Sequence, residues 1–439
     1  MYHPGSIFSE TVPVNEPLDL IRAIQQSGAA PLFYWDRPEC GLTIAAAGAT
    51  AEFRASGAGR FRDVSERARA LLSSLNPGRN VNPGDGPLMV GGFGFSDRAC
   101  DAREWREFPP AWIFLPSLLW VRRGTRCTLT LTWANDDRNS VDHLLARAVA
   151  DGRACHQPAP SPLELEQAAP LERQQWVDRV ERIRARIHCG ALQKIVLSRR
   201  LAAKSAFRID PARFMYSAHG ARPACANFFV SGATTSFVGS TPELLVKLDE
   251  EIVTSGALAG SARRGDNPQA DRALGDALLN SAKNLEEHRY VVSAIEAALK
   301  PVAAPLSVPA RPDLMLLPEA QHLFTPVEGR LRESRSVIEL AGLLHPTPAV
   351  CGVPREAARA IIEREEPDRG WYTGTVGWMD RLGQGEFAVA LRSGIIDGSK
   401  MYLFAGAGIV AASEADAEFA ETENKLTALL GSTALGTIA

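Results

Sequence analysis

Two carboxylates and an amine recur at helical spacing near the end of the 439-residue chain, in the segment AEFAETENKL. Glu418, Glu421 and Lys425 are three and four residues apart, so a helix would project all three from one face. A second predicted helix, SAKNLEEHRYVVSAIEAAL, carries Glu287 away from its apolar face. Carboxylates without His or Cys suit Mg²⁺ and an anionic substrate group. The alternative for the second helix is a solvated flank.

A lysine and a glutamate in apolar sequence surroundings are candidates for proton transfer. Lys194 opens KIVLSRR and would share a strand face with Val196 and Ser198. Deprived of water, such a lysine gives up its proton more easily and can act as a general base, unless it only protects a sheet edge. Glu243 in GSTPELL is either a general acid with a raised pKa or a carboxylate in a surface turn. Together they fit a proton-coupled elimination or substitution.

An arginine and two glycines near the carboxyl terminus predict an anion site. Arg392 lies in the apolar run VALRSG, and a buried guanidinium requires an anionic partner, for which a substrate carboxylate would serve. Gly406 and Gly408 in FAGAGIV let backbone N–H groups approach an anion closely. A dinucleotide loop is disfavoured because the G-x-G-x-x-G spacing is missing.

Composition narrows the class of protein. The chain is 45% hydrophobic and 23% charged, with a net charge of −3, a pI near 6.3 and no basic stripe, which disfavours nucleic acid and anionic membrane as partners. The first residues lack the charged and apolar pattern of a signal peptide, so none is expected, and the sequence has no apolar run of about 18 residues. The seven cysteines are scattered without a C-x-x-C pair, so we expect reduced thiols, a cytoplasmic location and no zinc or haem.

The elements that must position these residues fall into two parts. Residues 1–155 contain strand-like segments and one helix at VSERARALLSSL, without a chemical motif, and are predicted to be a scaffold. Residues 151–170, rich in Pro and Ala, are predicted to be a connector. Residues 171–439 are predicted to be the catalytic part, packed with the scaffold into one compact domain. Strands and helices do not alternate strictly, which favours α+β with antiparallel sheets over a doubly wound fold.

Local patterns in the second part place the candidate residues. Trp176, Val180 and Ile183 predict one buried helix face, KIVLSRRL a strand, and residues 283–300 and 414–430 helices. The long segment GEFAVALRSGIIDGSKMYLFAGAGIV predicts a β-hairpin that turns at DGSK. Lys194, Arg392 and the two glycines would therefore be on strands. Glu287, Glu418 and Glu421 would be on helices.

Eight blocks in order resemble the isochorismate synthases of the chorismate-utilising enzyme family. The resemblance is dense over residues 171–432 and looser before them. The blocks are KIVLSRR, GSTPELLVK, ALAGSARRG, LLNSAKNLEEHRYVV, LLHPTPAVCGVPREAA, RGWYTGTVGW, GEFAVALRSG and FAGAGIVAASEADAEFAETENKL.

The resemblance implies a layered α/β/β/α fold of two orthogonally packed antiparallel sheets flanked by helices, and Mg²⁺-dependent conversion of chorismate to isochorismate. By position, Lys194 resembles the base that activates water for attack at ring carbon C2, and Glu243 the acid that protonates the departing C4 hydroxyl. Glu287 and Glu421 resemble the Mg²⁺ ligands, with Glu418 as a helper. The remaining substrate-binding positions implied are Gly260, Ala349, Tyr372, Arg392, Gly406, Gly408 and Lys425.

Branches of the family differ at single positions. Amine-transferring members carry glutamine where Lys194 stands, and members with a nucleophilic lysine carry it where Ala259 stands, so water is the implied nucleophile and no glutamine amidotransferase subunit is expected. Ala349 and Val350 resemble the branch that stops at isochorismate. The family usually has an acidic residue in place of Asn284, which predicts weaker Mg²⁺ affinity.

Three functions stay open at this point: isochorismate synthase, which we favour; salicylate synthase, which also eliminates pyruvate; and a silent chorismate- or Mg²⁺-binding homologue. We expect a monomer. Siderophore, salicylate and menaquinone biosynthesis are all possible destinations of the product.

Overall fold

The computed structural model describes residues 6–14, 18–75, 81–82, 84–135, 137–152, 163–165 and 170–431. Within these ranges the chain forms 22 strands and ten α-helices. The strands are β1 (Ile7–Pro13), β2 (Leu32–Arg37), β3 (Leu42–Ala47), β4 (Ala51–Ala55), β5 (Leu88–Phe93), β6 (Ala111–Leu115), β7 (Leu118–Arg123), β8 (Arg126–Ala134), β9 (Leu163–Leu165), β10 (Lys194–Ser205), β11 (Ala226–Ser231), β12 (Thr235–Thr241), β13 (Leu244–Asp249), β14 (Ile252–Arg263), β15 (Ala303–Ser307), β16 (Asp313–Leu316), β17 (Ala320–Leu331), β18 (Gly352–Val353), β19 (Thr375–Asp380), β20 (Gly385–Val389), β21 (Ser393–Asp397) and β22 (Lys400–Ile409).

The helices are α1 (Leu20–Gln26), α2 (Arg60–Ser74), α3 (Arg138–Gly152), α4 (Pro170–His188), α5 (Pro211–Ala221), α6 (Pro268–Leu279), α7 (Ala282–Leu299), α8 (Val337–Leu344), α9 (Arg355–Glu365) and α10 (Ala415–Gly431). Among the helices of the described ranges, none is both long and apolar enough to cross a lipid bilayer.

The strands form two antiparallel sheets. The larger sheet has the order β1-β8-β7-β3-β2-β11-β12-β21-β22-β10-β18, with β9 also paired to β10. The smaller has the order β15-β17-β14-β13-β20-β19-β5-β6-β4, with β16 also paired to β17. Each sheet combines strands from before residue 155 with strands from after residue 171. The division into scaffold and catalytic parts stays a prediction.

An aromatic core fills the space between the sheets. It joins Phe33 and Trp35 of the larger sheet to Val90 and Trp112 of the smaller one. Helices α1, α3 and α5 pack on the outer face of the larger sheet, and α2, α7 and α8 on that of the smaller. Each sheet therefore buries both faces, which explains strands such as LTIAAA that are apolar throughout. The predicted α+β class, with two antiparallel sheets flanked by helices, is confirmed.

Two local predictions require correction. The connector predicted at 151–170 is partly regular, since α3 extends to Gly152, β9 pairs with β10 and α4 begins at Pro170; its other residues lie outside the described ranges. The hairpin predicted over GEFAVALRSGIIDGSKMYLFAGAGIV contains three strands, not two. Only β21 and β22 form the hairpin, whereas β20 belongs to the smaller sheet. Apolar alternation looks the same in either sheet, so periodicity could not show where the chain changes sheets.

Candidate active site

A cleft opens beside β10, β14, β22, α7 and α10, with a free volume of about 1050 Å³ that includes its open mouth. Its lining in the described residues runs from Val196 to Lys425, all within the predicted catalytic part. Eleven of the twelve predicted site residues border it: Glu243, Gly260, Glu287, Ala349, Tyr372, Arg392, Gly406, Gly408, Glu418, Glu421 and Lys425. The twelfth, Lys194, lies directly behind this lining.

Lys194 is fully buried at the start of β10. Its strand pairs with β22 on one side and with β18 on the other, so the alternative of an edge-strand lysine is wrong. The ammonium Nζ is 2.9 Å from Glu287 Oε1, at an angle too poor for a hydrogen bond. Its side chain also passes Gly408, where an added Cβ would be 3.2 Å from Lys194 Cε. The amine is therefore held at the base of the cleft with protons that can point toward a ligand.

Glu243 lies just before β13 and is 4% exposed, so the alternative of a surface-turn carboxylate is wrong. Its backbone is fixed because Val389 N donates to Glu243 O at 2.9 Å. Burial raises the pKa of Glu243 to about 8, although the nearby charge of Lys194 acts to lower it. This carboxyl is consequently protonated at neutral pH and can donate a proton into the cleft.

Each of the three glutamates predicted near the metal has a lysine of its own. Glu287 pairs with Lys194 at 2.9 Å, Glu421 with Lys425 at 2.6 Å, and Glu418 with Lys283 at 3.1 Å. Burial and the charge of Glu421 raise the pKa of Glu418. Burial acts to raise the pKa of Glu421 as well, but the charges of Lys425, Lys283 and Lys194 outweigh burial, so the pKa of Glu421 is lowered. The Glu421 side chain is 41% exposed.

These carboxylates also bear on the predicted Mg²⁺ site. In the described part of the chain no three Asp, Glu, His or Cys side chains are arranged as a metal site. The charge of Glu421 nevertheless acts on Glu418, and both border the same cleft as Glu287. An added Cβ at Gly408 would lie 2.5 Å from Glu287 Oε1, so the glycine makes the space that this carboxylate occupies. One or two carboxylates, an anionic substrate and waters are a usual shell for Mg²⁺. Glu287 and Glu421 have the donor chemistry for such a shell, and their role as ligands stays a prediction.

Other residues of the lining can bind an anion and a ring. Arg392 lies between β20 and β21, where the chain crosses from one sheet to the other, with a left-handed φ of 44°. Gly260, at φ 81° in an irregular part of β14, faces Asn284. Tyr372 stacks on Phe404 with ring centroids 5.1 Å apart, and burial raises the pKa of its hydroxyl, which therefore remains a donor. Gly406 lies under that hydroxyl.

For two of the predicted substrate-binding residues, Arg392 and Lys425, the expectation changes with the structure. Arg392 already has a protein carboxylate as partner, because its Nη1 donates to Glu319 Oε1 at 2.5 Å. Lys425, expected to face a substrate carboxylate, also donates to Gly406 O at 2.8 Å while paired with Glu421. The i, i+4 spacing of Glu421 and Lys425 is the sequence signal for that pair.

Several site residues were not anticipated from the sequence. His322 on β17 borders the cleft, and its Nε2 is 2.9 Å from Arg392 Nη2. Since a guanidinium only donates, Nε2 accepts and Nδ1 carries the proton toward Ser261 Oγ. Burial and Arg392 lower the pKa of His322 to about 3. A single histidine in an apolar strand, QHLF, is a weak signal, and Glu319 and Arg222 have no sequence pattern at all.

Comparison with known proteins decides the family. Residues 3–434 match the model of the family described as "Chorismate binding enzyme". The chain belongs to the chorismate binding enzyme family. Within this family it is 33% identical to isochorismate synthase MenF of Bacillus subtilis over 96% of its own length and 92% of the relative's. It is 34% identical to the salicylate biosynthesis isochorismate synthase of Pseudomonas aeruginosa over 95% and 89%.

A solved structure of this family has the same architecture. The menaquinone-specific isochorismate synthase MenF of Escherichia coli superposes with a TM-score of 0.81 at 25% identity, over 98% of this chain and 95% of that one. The resemblance to isochorismate synthases and the prediction that the chain is an enzyme, an isomerase, are confirmed by these relatives. The roles of the individual residues stay predictions.

Proposed function

We propose that this protein converts chorismate to isochorismate with Mg²⁺. The observation that carries the proposal is a pair of buried ionisable groups, Lys194 and Glu243, held at one cleft. Glu243 is protonated at neutral pH because burial raises its pKa to about 8. Lys194 is within electrostatic reach of Glu243, and its ammonium contacts a carboxylate that borders the same cleft. A base and an acid on two sides of a bound ring are what an addition coupled to a departure requires.

The reaction follows from these two groups. Lys194, in its neutral form, removes a proton from a water molecule as the oxygen of that water bonds to ring carbon C2. The electron pairs of the two conjugated ring double bonds shift in turn, from C1=C2 to C1=C6 and from C5=C6 to C4=C5, and the bond from C4 to its hydroxyl breaks. Glu243 gives its proton to that hydroxyl, which departs as water. One water enters and one leaves, so the product is an isomer of the substrate.

The remaining residues of the cleft bind and orient the substrate. Arg392 uses two of its five donors on Glu319 and His322, so N–H groups remain for a substrate carboxylate. Tyr372 supplies a hydroxyl and an aromatic wall, while Gly406 and Gly408 let the ring approach β22. Glu287 and Glu421, assisted by Glu418, would hold Mg²⁺, which when bound supplies a positive charge for the ring carboxylate.

The test is a product assay with purified protein, chorismate and Mg²⁺, in which products are separated by chromatography. Isochorismate as the main product supports the proposal. Salicylate and pyruvate as main products would replace it with a salicylate synthase, and an absence of turnover despite chorismate binding would indicate the silent homologue. The same assay with ammonium added beside Mg²⁺ serves as the control for an amine-transferring activity.

A further inference from the structure

Beside Arg392 lie two charged residues to which the chemistry above gives no role of their own, Glu319 and Arg222. Glu319, in the turn between β16 and β17, lies between two arginines from other parts of the chain. Its Oε1 is 2.5 Å from Arg392 Nη1 and 3.5 Å from Arg222 Nε. The side chains of Arg222, Arg392 and Glu319 are 2%, 16% and 21% exposed. Removing one partner from ion pairs this sheltered from water leaves a buried charge uncompensated, which is costly.

We propose that Glu319 and Arg222 are positioning residues that hold the Arg392 guanidinium in the geometry for binding a substrate carboxylate. The inference rests on the proposed function, because it assigns Arg392 to the substrate. Glu319 fixes one side of the guanidinium and His322 fixes another. The planar group is then locked at two corners, and the fork that faces the cleft is preorganised before a ligand arrives.

The backbone at Arg392 supports this reading. The described residues include four non-glycine positions with positive φ, and two of them, Thr373 and Arg392, border the cleft. A left-handed arginine costs free energy that neighbouring contacts must offset. Ser240 N donates to Arg392 O at 3.1 Å, and Glu319 holds the far end of the side chain. Main chain and side chain are thus both fixed at the residue where the chain changes sheets.

Arg222 accounts for the charge of the cluster. Arg392 with Glu319 alone would be neutral, and a neutral wall attracts an anion weakly. With Arg222 the three residues carry a net charge of +1, of which the part nearest the cleft is the Arg392 guanidinium. Burial and the charge of Arg392 lower the pKa of Arg222, whereas Glu319 opposes both effects. The carboxylate therefore allows two cations to remain charged side by side.

The test compares Glu319→Ala and Glu319→Gln with the wild type by steady-state kinetics with chorismate. Because a non-reacting carboxylate is gripped equally in the ground and transition states, we expect KM to rise and kcat to change little. A hydrogen bond to a charged group corresponds to a rise of about tenfold to hundredfold for Glu319→Ala. Glu319→Gln keeps an acceptor oxygen for Arg392 and should give a smaller rise.

Two further measurements separate positioning from general stability. Glu251→Ala removes the partner of Arg330 from a pair that is 66% and 62% exposed, and this matched control should leave KM unchanged. In an Arg392→Ala background, Glu319→Ala should cause no additional change in KM, since its effect acts through that guanidinium. An equal KM for Glu319→Ala and wild type, or the same rise in the Arg392→Ala background, would overturn the inference.

Calorimetric titration with chorismate keeps this test separate from that of the proposed function. A wild type that binds chorismate but forms no isochorismate would refute the function while the variants are still compared by affinity. A loss of chorismate affinity in Glu319→Ala, with an unchanged thermal unfolding midpoint, would support the positioning role in either case. Unchanged affinity would overturn it, whatever the product.

Discussion

The two sides of the cleft handle charge in different ways. On the side of α7 and α10, Glu287, Glu418 and Glu421 each pair with a single lysine, and the charges of each pair cancel. On the side of β17 and β21, Glu319 is shared by two arginines and one positive charge is left over. We expect the lysine partners of the first side to be exchanged when a ligand enters, whereas the proposed positioning of Arg392 fixes the second side before the ligand arrives. A group that takes part in the reaction must transfer protons, whereas a group that only binds the substrate must keep its position.

The largest effect on turnover is expected from removing the amine of Lys194, on the side of α7 and α10. Lys194→Ala should lower kcat by about 10²- to 10⁴-fold, the usual contribution of a general base, with the fold intact by circular dichroism. Lys247→Ala is the matched control, because that lysine pairs with Asp249 on the surface and is 46% exposed. A variant at position 194 that keeps its rate would contradict the assignment of the base.

We expect the proposed acid, Glu243, to determine how the rate depends on pH. The protonated form of Glu243 is the active one, and its pKa of about 8 means that this form is lost as the pH rises through 8. We expect kcat/KM to fall about tenfold per pH unit on the alkaline side. Glu243→Gln should lose most of its turnover, and its residual rate should lack that alkaline decline. A wild-type profile that stays flat to pH 10 would exclude Glu243 as the acid.

A carboxylate of α10 is the next position to change. Glu421→Gln keeps the shape but loses the charge, and it should shift the Mg²⁺ midpoint upward by at least about tenfold, since even residues behind metal ligands contribute that much. Direct Mg²⁺ binding measured by calorimetry checks the same shift without turnover. Glu423→Gln, two positions along the helix and paired with Arg199, is the control. The same midpoint in Glu421→Gln and wild type would refute its role as a ligand.

The smallest effect is expected at Asn284, whose side chain donates to Ser281 Oγ at 2.8 Å near the start of α7. Asn284→Asp adds a partly exposed negative charge to the cleft wall, so Mg²⁺ should bind about twofold to fivefold more tightly, in the range of a single solvated charge pair. A Mg²⁺ titration of both proteins at equal ionic strength measures it. Tighter binding in the asparagine form would show that the amide is itself favourable.

Features of the fold and of the site could be predicted from the sequence where they depend on residues close together in the chain. The acidic face of α10 and the buried face of α4 follow from spacing, because a helix repeats every 3.6 residues. The types of Lys194 and Glu243, each among apolar neighbours, indicated proton transfer. The link between Glu319 and Arg222 joins the β16–β17 turn to the end of α5, and such contacts between distant segments leave no periodic trace. Likewise, the alternation of apolar and polar residues does not indicate that β20 and β21 belong to different sheets.

The lysine partners of the glutamates have a consequence for how the protein loads its ligands. Without metal, the cleft offers Mg²⁺ no excess negative charge, because Lys194, Lys283 and Lys425 already neutralise it. A dianionic substrate that draws the ammonium groups of Lys283 and Lys425 toward itself frees Glu418 and Glu421, and by thermodynamic linkage each ligand then strengthens the binding of the other by the same factor. The apparent Mg²⁺ requirement of the protein should accordingly decrease as the chorismate concentration rises.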